Sequence, residues 1–100
     1  MARSKRLESG FQDDLRDEVQ KMFPGCKIFK MEQIQGIPDW LILYKNKWAV
    51  LENKKSEDAA HRPNQDYYVA QMNNMSFGRF IYPENKDKVL RELFQFFKED

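Results

Sequence analysis

Apolar positions along this chain fall into two rhythms. From Leu7 to Phe23 they recur at helical spacing, with Leu7, Phe11, Leu15, Val19, Met22 and Phe23 on one stripe. Pro24-Gly25 ends that helix. Cys26 to Ile34 alternates loosely and predicts a strand; Gln35-Gly36-Ile37-Pro38 predicts a turn. Two runs of aromatic and branched residues follow, Trp40 to Tyr44 and Trp48 to Leu51, joined by the short polar stretch Lys45-Asn46-Lys47. They predict a β-hairpin buried on both faces. Ser56 to Arg62 is a polar connection. Pro63 suits the first turn of a second helix, which carries Tyr68, Met72 and Met75 on one face. Phe77 to Tyr82 predicts a short strand. Pro83 starts a last helix whose apolar residues are Val89, Leu90, Leu93, Phe94 and Phe97. The predicted order is α-β-β-β-α-β-α, an α/β domain.

Charged residues interrupt the hairpin at its open end. Asp39 precedes the first run, and Glu52-Asn53-Lys54 follows the second. Side chains alternate across a strand, so Glu52 and Lys54 share a face. A two-residue turn at Lys45-Asn46 pairs Tyr44 with Lys47, and the same register sets Asp39 opposite Glu52. A three-residue turn sets Asp39 opposite Asn53 and turns Glu52 away, and a bulge changes the count again. In the first register two carboxylates and an ammonium converge. Facing carboxylates repel unless a cation or proton sits between them. Such a set fits a divalent cation and an activated water, the chemistry of phosphodiester hydrolysis. Asp39 and Glu52 are the expected metal ligands. Mg²⁺ prefers carboxylate and water oxygens and keeps several waters. Lys54 would orient the attacking water and neutralise charge that develops on the phosphate.

Composition narrows the choices. One hundred residues make a single domain, 1–100, with fourteen aromatic residues to fill one modest core. A formal charge of +1 excludes a protein held on DNA by bulk charge, so any nucleic-acid surface must be local. Arg3, Lys5 and Arg6, then Lys55 beside the acids, and Arg62 are the cations for it. The lone Cys26 makes no intramolecular disulfide, which fits a reducing cytoplasm. One Cys and one His argue against structural zinc. No signal peptide or membrane-length apolar run stands out. His61 is expected to be a mobile loop residue.

The element order, together with Asp39, Glu52 and Lys54, resembles the PD-(D/E)XK nuclease superfamily over nearly the whole chain. Gly36-Ile37-Pro38-Asp39, the Glu-x-Lys strand and Gln65 at the next helix look most like its VRR-Nuc branch, which includes small stand-alone phage and bacterial enzymes. The archaeal Holliday junction resolvases are similar in order and size. The resemblance implies a restriction-endonuclease-like core, α-β-β-β-α-β with an added C-terminal helix and a mixed central sheet. It implies Mg²⁺ or Mn²⁺, with the backbone carbonyl of Asn53 as a further ligand. It also implies an acid from the first helix, for which Glu8 and Glu18 are the candidates. At roughly 100° per residue Glu8 falls near the centre of the apolar stripe and Glu18 nearer its edge. A carboxylate aimed into an apolar face needs a partner or a metal, which favours Glu8. Gln65 is implied to bind phosphate or orient the lysine. Tyr68 lies one turn on, and Gln12 lies one turn after Glu8; Gln12, Gln65, Tyr68 and Arg62 are expected nucleic-acid contacts. The expected activity is a metal-dependent DNA endonuclease on branched DNA such as four-way junctions. The alternatives are a general nuclease or nickase, or a non-catalytic DNA-binding module on the same fold. No separate recognition domain is evident. Symmetric junction cleavage calls for a homodimer, with Phe94 and Phe96 as surplus aromatic surface.

Overall fold

A computed structural model describes the backbone of residues 2–99 and the side chains of residues 10–99. The elements are α1 (Ala2–Met22), β1 (Lys27–Lys30), β2 (Trp40–Tyr44), β3 (Lys47–Asn53), α2 (Gln65–Met75), β4 (Gly78–Ile81) and α3 (Lys86–Lys98). The four strands form one sheet in the order β1-β2-β3-β4. The first three are antiparallel, and β4 runs parallel to β3. A parallel neighbour needs a crossover, and α2 supplies it. The molecule is therefore mixed α/β with a mixed sheet, in the predicted element order.

Period-two alternation divides the sheet. Trp40, Ile42, Ala49, Leu51 and Ile81 form one face, and their side chains pack with Leu15 and Val19 of α1, with Phe23 just after it, and with Leu90, Leu93 and Phe97 of α3. This is the core. The other face is only half covered. Helix α2 lies on β3 and β4, and Gly78 allows the close approach, since a Cβ there would stand 2.8 Å from the Val69 carbonyl oxygen. Over β1 and β2 that face stays open, leaving Phe29 50% and Leu43 38% exposed. The hairpin is thus buried on both faces only along β3, because α2 is too short and too far across the sheet to reach β2.

Other boundaries and faces also differ from the sequence reading. β1 stops at Lys30 rather than Ile34, because the chain turns away once Met31 N–H has bonded the Asp39 carbonyl at 2.6 Å. Pro63 precedes α2, which begins after Asn64 at a left-handed φ of 73°. Its buried stripe is Gln65 and Val69, whereas Met75 is 70% exposed. Pro83 likewise precedes α3, in a turn that Asn85 closes by accepting the Tyr82 N–H at 2.9 Å. Phe96 is no surplus surface: its ring sits 5.4 Å from Phe77 and 5.7 Å from Phe97, under the Lys47 ammonium. Phe94 remains 41% exposed. Among the described residues no helix is long and apolar enough to cross a membrane.

Two glycines test this packing in opposite directions. Gly10 stands in α1 with nothing near the place of a Cβ, so Gly10→Ala should stabilise the fold by about 0.5–1 kcal/mol. Gly78→Ala should destabilise it by about 1–3 kcal/mol, because α2 must lift off the sheet. Urea unfolding of both variants measures the contrast.

Candidate active site

The hairpin turn at Lys45-Asn46 has two residues: Tyr44 pairs with Lys47 and Trp40 with Leu51. One step further, Asp39 faces Glu52. Each acid holds the other's strand. Asp39 N–H donates to Glu52 Oε1 at 3.2 Å, and Asn53 N–H donates to Asp39 Oδ2 at 3.1 Å. The approach to Asp39 is fixed by Gly36, at φ +88°, where a Cβ would stand 2.7 Å from the Pro63 carbonyl oxygen and 2.8 Å from Asn64 Cβ. Only glycine lets the turn before β2 seat itself on the residues that open α2.

That seating brings Gln65 over the acids. It is 6% exposed and joins the other groups. Its Nε2 donates to Glu52 Oε2 at 2.9 Å, while its Oε1 accepts from Lys54 Nζ at 2.6 Å and from Arg62 N–H at 2.7 Å. Lys54 Nζ also donates to the Ala60 carbonyl at 3.1 Å and lies 3.8 Å from Glu52 Oε2. The amide orientation of Gln65 follows from its neighbours: an ammonium and an N–H need its oxygen, and a carboxylate needs its nitrogen.

Electrostatics here run against ionisation of the acids. Burial pushes the Glu52 carboxyl up to about 7; the Asp39 charge adds to the rise, and Lys54 opposes it. Burial also raises Asp39, against the Asn53 N–H bond and the charges of Lys54 and Lys30. Two carboxylates side by side in a buried setting resist being ionised together unless a cation sits with them. Among the described residues no group of three or more His, Cys, Asp or Glu stands ready to hold a metal ion; the carboxylates are a pair.

A cavity of about 450 Å³ opens at this end of the sheet. Its lining includes Asp39, Glu52, Asn53, Lys54 and Gln65, and also Gln12, Lys55 and Arg62. Of the predicted residues, Tyr68 is not brought in: it is half-buried, with its ring 5.2 Å from Tyr67. Arg3, Lys5, Arg6 and Glu8 lie outside the described side chains. Glu18 is removed as an alternative acid, because it pairs with Lys86 of α3 at 2.9 Å. His61 is not loose: its ring stacks on Phe80 at 4.1 Å, and Nδ1 meets Asp66 Oδ1 at 2.6 Å.

Sequence reading missed Phe11 and the Ala59-Ala60 backbone, both of which line the cavity. Phe11 belongs to the apolar stripe of α1, and its place one turn after Leu7 carries no sign that it borders the cavity. It also missed Lys30, whose charge acts on Asp39. The signal was present, since the alternation of β1 places Lys30 beside Trp40 in the paired strand.

Compared with family models, with curated proteins and with solved structures, the chain gives no match.

The raised acids carry a pH signature. The folded protein keeps the Glu52 proton up to about pH 7, while the unfolded chain loses it near 4.5. Between those values the native state binds more protons, so stability falls as pH rises through the window. In chelator, the wild type should therefore unfold at progressively lower urea from about pH 4.5 to 7, and Glu52→Gln should flatten that slope. An equal slope in the variant would mean that the burial of Glu52 does not raise its pKa.

Proposed function

We propose that this chain is a divalent-metal-dependent DNA endonuclease on the PD-(D/E)XK plan, most like the VRR-Nuc branch, with a preference for branched DNA. The observation that carries the reading is the convergence of Asp39, Glu52 and Lys54 on one cavity, bridged by Gln65. The sheet order, with three antiparallel strands and a parallel fourth reached through α2, is compatible with a restriction-endonuclease-like core.

The residues fit a hard cation. Asp39 and Glu52 are oxygen ligands whose mutual repulsion a cation relieves, in a cavity large enough to hold it with several waters. Glu8, the acid expected from α1, and the Asn53 backbone carbonyl would complete the ligand set. Bound there, Mg²⁺ or Mn²⁺ supplies Lewis-acid polarisation of the scissile phosphate and acidity to a bound water. The chain's own groups do the rest. Lys54, with its side chain 10% exposed, is held by Gln65 and Ala60 and cannot swing away. Its charge is aimed at the place where negative charge grows on the phosphate, in surroundings that screen it little. Arg62, Lys55 and Gln12 line the same cavity and would hold phosphates on either side of the cut. These are backbone contacts, which suit recognition by shape. A homodimer is the economical way to cut a junction symmetrically. The free thiol of Cys26 suits a reducing cytoplasm, bacterial or that of a phage-infected host.

Cleavage of a four-way junction and of a matched linear duplex, each with Mg²⁺ and with Mn²⁺, tests this directly. Junction cleavage well above duplex cleavage is expected. Equal cleavage makes the protein a general nuclease or nickase, and binding without cleavage makes it a DNA-binding module. Asp39→Asn, Glu52→Gln and Lys54→Ala should each remove most activity while leaving the fold intact. Combined, they should cost little more than the worst single change. Mg²⁺ should raise the melting temperature of the wild type at pH 8 but not that of Asp39→Asn. Sedimentation at assay concentration reports the dimer.

A further inference from the structure

The connection between β3 and α2 supplies two of the contacts that hold the site together. The Ala60 carbonyl accepts from Lys54 Nζ at 3.1 Å, and the Arg62 N–H donates to Gln65 Oε1 at 2.7 Å. His61, the residue between them, is not part of the cavity lining. It is tied instead to the two elements on which the site is built. Its ring stacks on Phe80 of β4, with centroids 4.1 Å and planes 17° apart. Its Nδ1 meets Asp66 Oδ1 of α2 at 2.6 Å. An aspartate carboxylate only accepts, so Nδ1 carries the proton.

Both anchors adjoin residues of the site. Phe80 is the partner of Glu52 in the β3–β4 pairing. Ile81 lies in the core, so Phe80 before it takes the α2 face of the sheet, as Glu52 does. Asp66 follows Gln65 at the start of α2. Other contacts of the connection are internal to it: Ser56 Oγ donates to Asp58, and Ala59 N–H donates to the Ser56 carbonyl. His61 reaches out of the connection to the strand beside Glu52 and to the helix that carries Gln65. Little stability is at stake in the polar contact, because the His61 and Asp66 side chains are 34% and 76% exposed. What the two anchors provide is placement of the backbone on either side of the ring.

We propose that His61 is a positioning residue for Lys54 and Gln65. Pinned by Phe80 and Asp66, it holds the Ala60 carbonyl and the Arg62 N–H where they keep the Lys54 ammonium on Gln65 Oε1. Without that hold, Lys54 loses the carbonyl and Gln65 loses the N–H. The ammonium stands 3.8 Å from Glu52 Oε2 and would then close on that carboxylate as a direct ion pair. Its charge would neutralise Glu52 and no longer meet the charge that grows on the phosphate. The catalytic consequence rests on the metal-dependent reading of the site; the placement of Lys54 and Arg62 is readable without metal or DNA.

Two measurements on the whole chain test this. The first is made by NMR in chelator: amide exchange at Arg62, and the nitrogen resonance of the Lys54 ammonium, assigned by its loss in Lys54→Ala. In His61→Ala the Arg62 N–H should exchange several-fold faster and the Lys54 resonance should shift, while the Leu51 amide of β3 stays protected. Asp66→Ala, a change at an exposed side chain, should act in the same direction with the fold untouched. The second measurement is cleavage. At saturating DNA and Mg²⁺ the kcat of His61→Ala should fall about 10- to 100-fold, the scale of a small misplacement, with KM changed less. Asp66→Asn keeps an acceptor for the Nδ1 proton and should restore both readouts. A merely structural His61 predicts a lower urea midpoint with wild-type Arg62 exchange, Lys54 resonance and kcat, and that result overturns the inference. If the wild type cuts no DNA with Mg²⁺ or Mn²⁺, the nuclease reading fails, and the NMR signals decide the placement alone: altered in His61→Ala, it stands; unaltered, it falls.

Discussion

The register of one hairpin is the constraint from which the working end of this protein follows. Side chains change face with every residue, so a slip of one position between β2 and β3 would exchange their buried and exposed sets. It would turn Leu51 out of the core and Glu52 into it. The observed pairing is held from both ends. Lys45 takes a left-handed φ of 56° to close a two-residue turn, and the acids bond each other's backbone at the far end. Between them Trp40, Ile42, Ala49 and Leu51 bury one continuous face. The contacts that build the core therefore also place Asp39 opposite Glu52. Folding of the hairpin and assembly of the acid pair are one event here; the connection from Lys54 to Asn64 then closes the cavity over the pair.

Around that pair the chain balances charge instead of cancelling it. Lys54 stands 3.8 Å from Glu52, farther than a close ion pair, because Gln65 holds the ammonium at 2.6 Å. The amide keeps acid and base apart while serving both. This leaves the carboxylates short of a full counter-charge in a buried setting, and burial prevails in raising both pKa values. Such an arrangement costs stability, and it is the kind of local inconsistency that marks functional sites. The surrounding fold compensates with a core drawn from α1, α3 and the sheet.

Much of this was legible in the residues. The hairpin was legible in the short polar stretch between strong apolar runs, and the element order in where Pro and Gly interrupt periodicity; the register was not, because Lys45-Asn46-Lys47 admits a two- or a three-residue turn and only the paired strands decide between them. What escaped did so for physical reasons. On α2, Tyr68, Met72 and Met75 fit helical spacing as well as the true stripe does, but the true stripe begins with a glutamine, and a count of apolar residues passes over it. The role of Glu18 depended on Lys86, sixty-eight positions away, a pairing that no local pattern encodes. Phe96 looked surplus because its partner, Phe77, lies outside any helical element. The resemblance that suggested nuclease chemistry placed the acids, lysine and glutamine in one neighbourhood.

The uncovered half of the sheet has a consequence of a different kind. β1 is a free edge of four residues, and Phe29 lies half-exposed within it. An open edge beside exposed Leu43 is a template on which another chain can add a strand. What opposes this is a pair of charges: Lys27 and Lys30, both exposed, begin and end the strand. Two copies aligning these edges antiparallel would bring lysine against lysine. With a net charge of only +1 the molecule has little general repulsion to keep copies apart. Protection of this edge therefore rests on two side chains, and acetylating those lysines would remove it without touching the core.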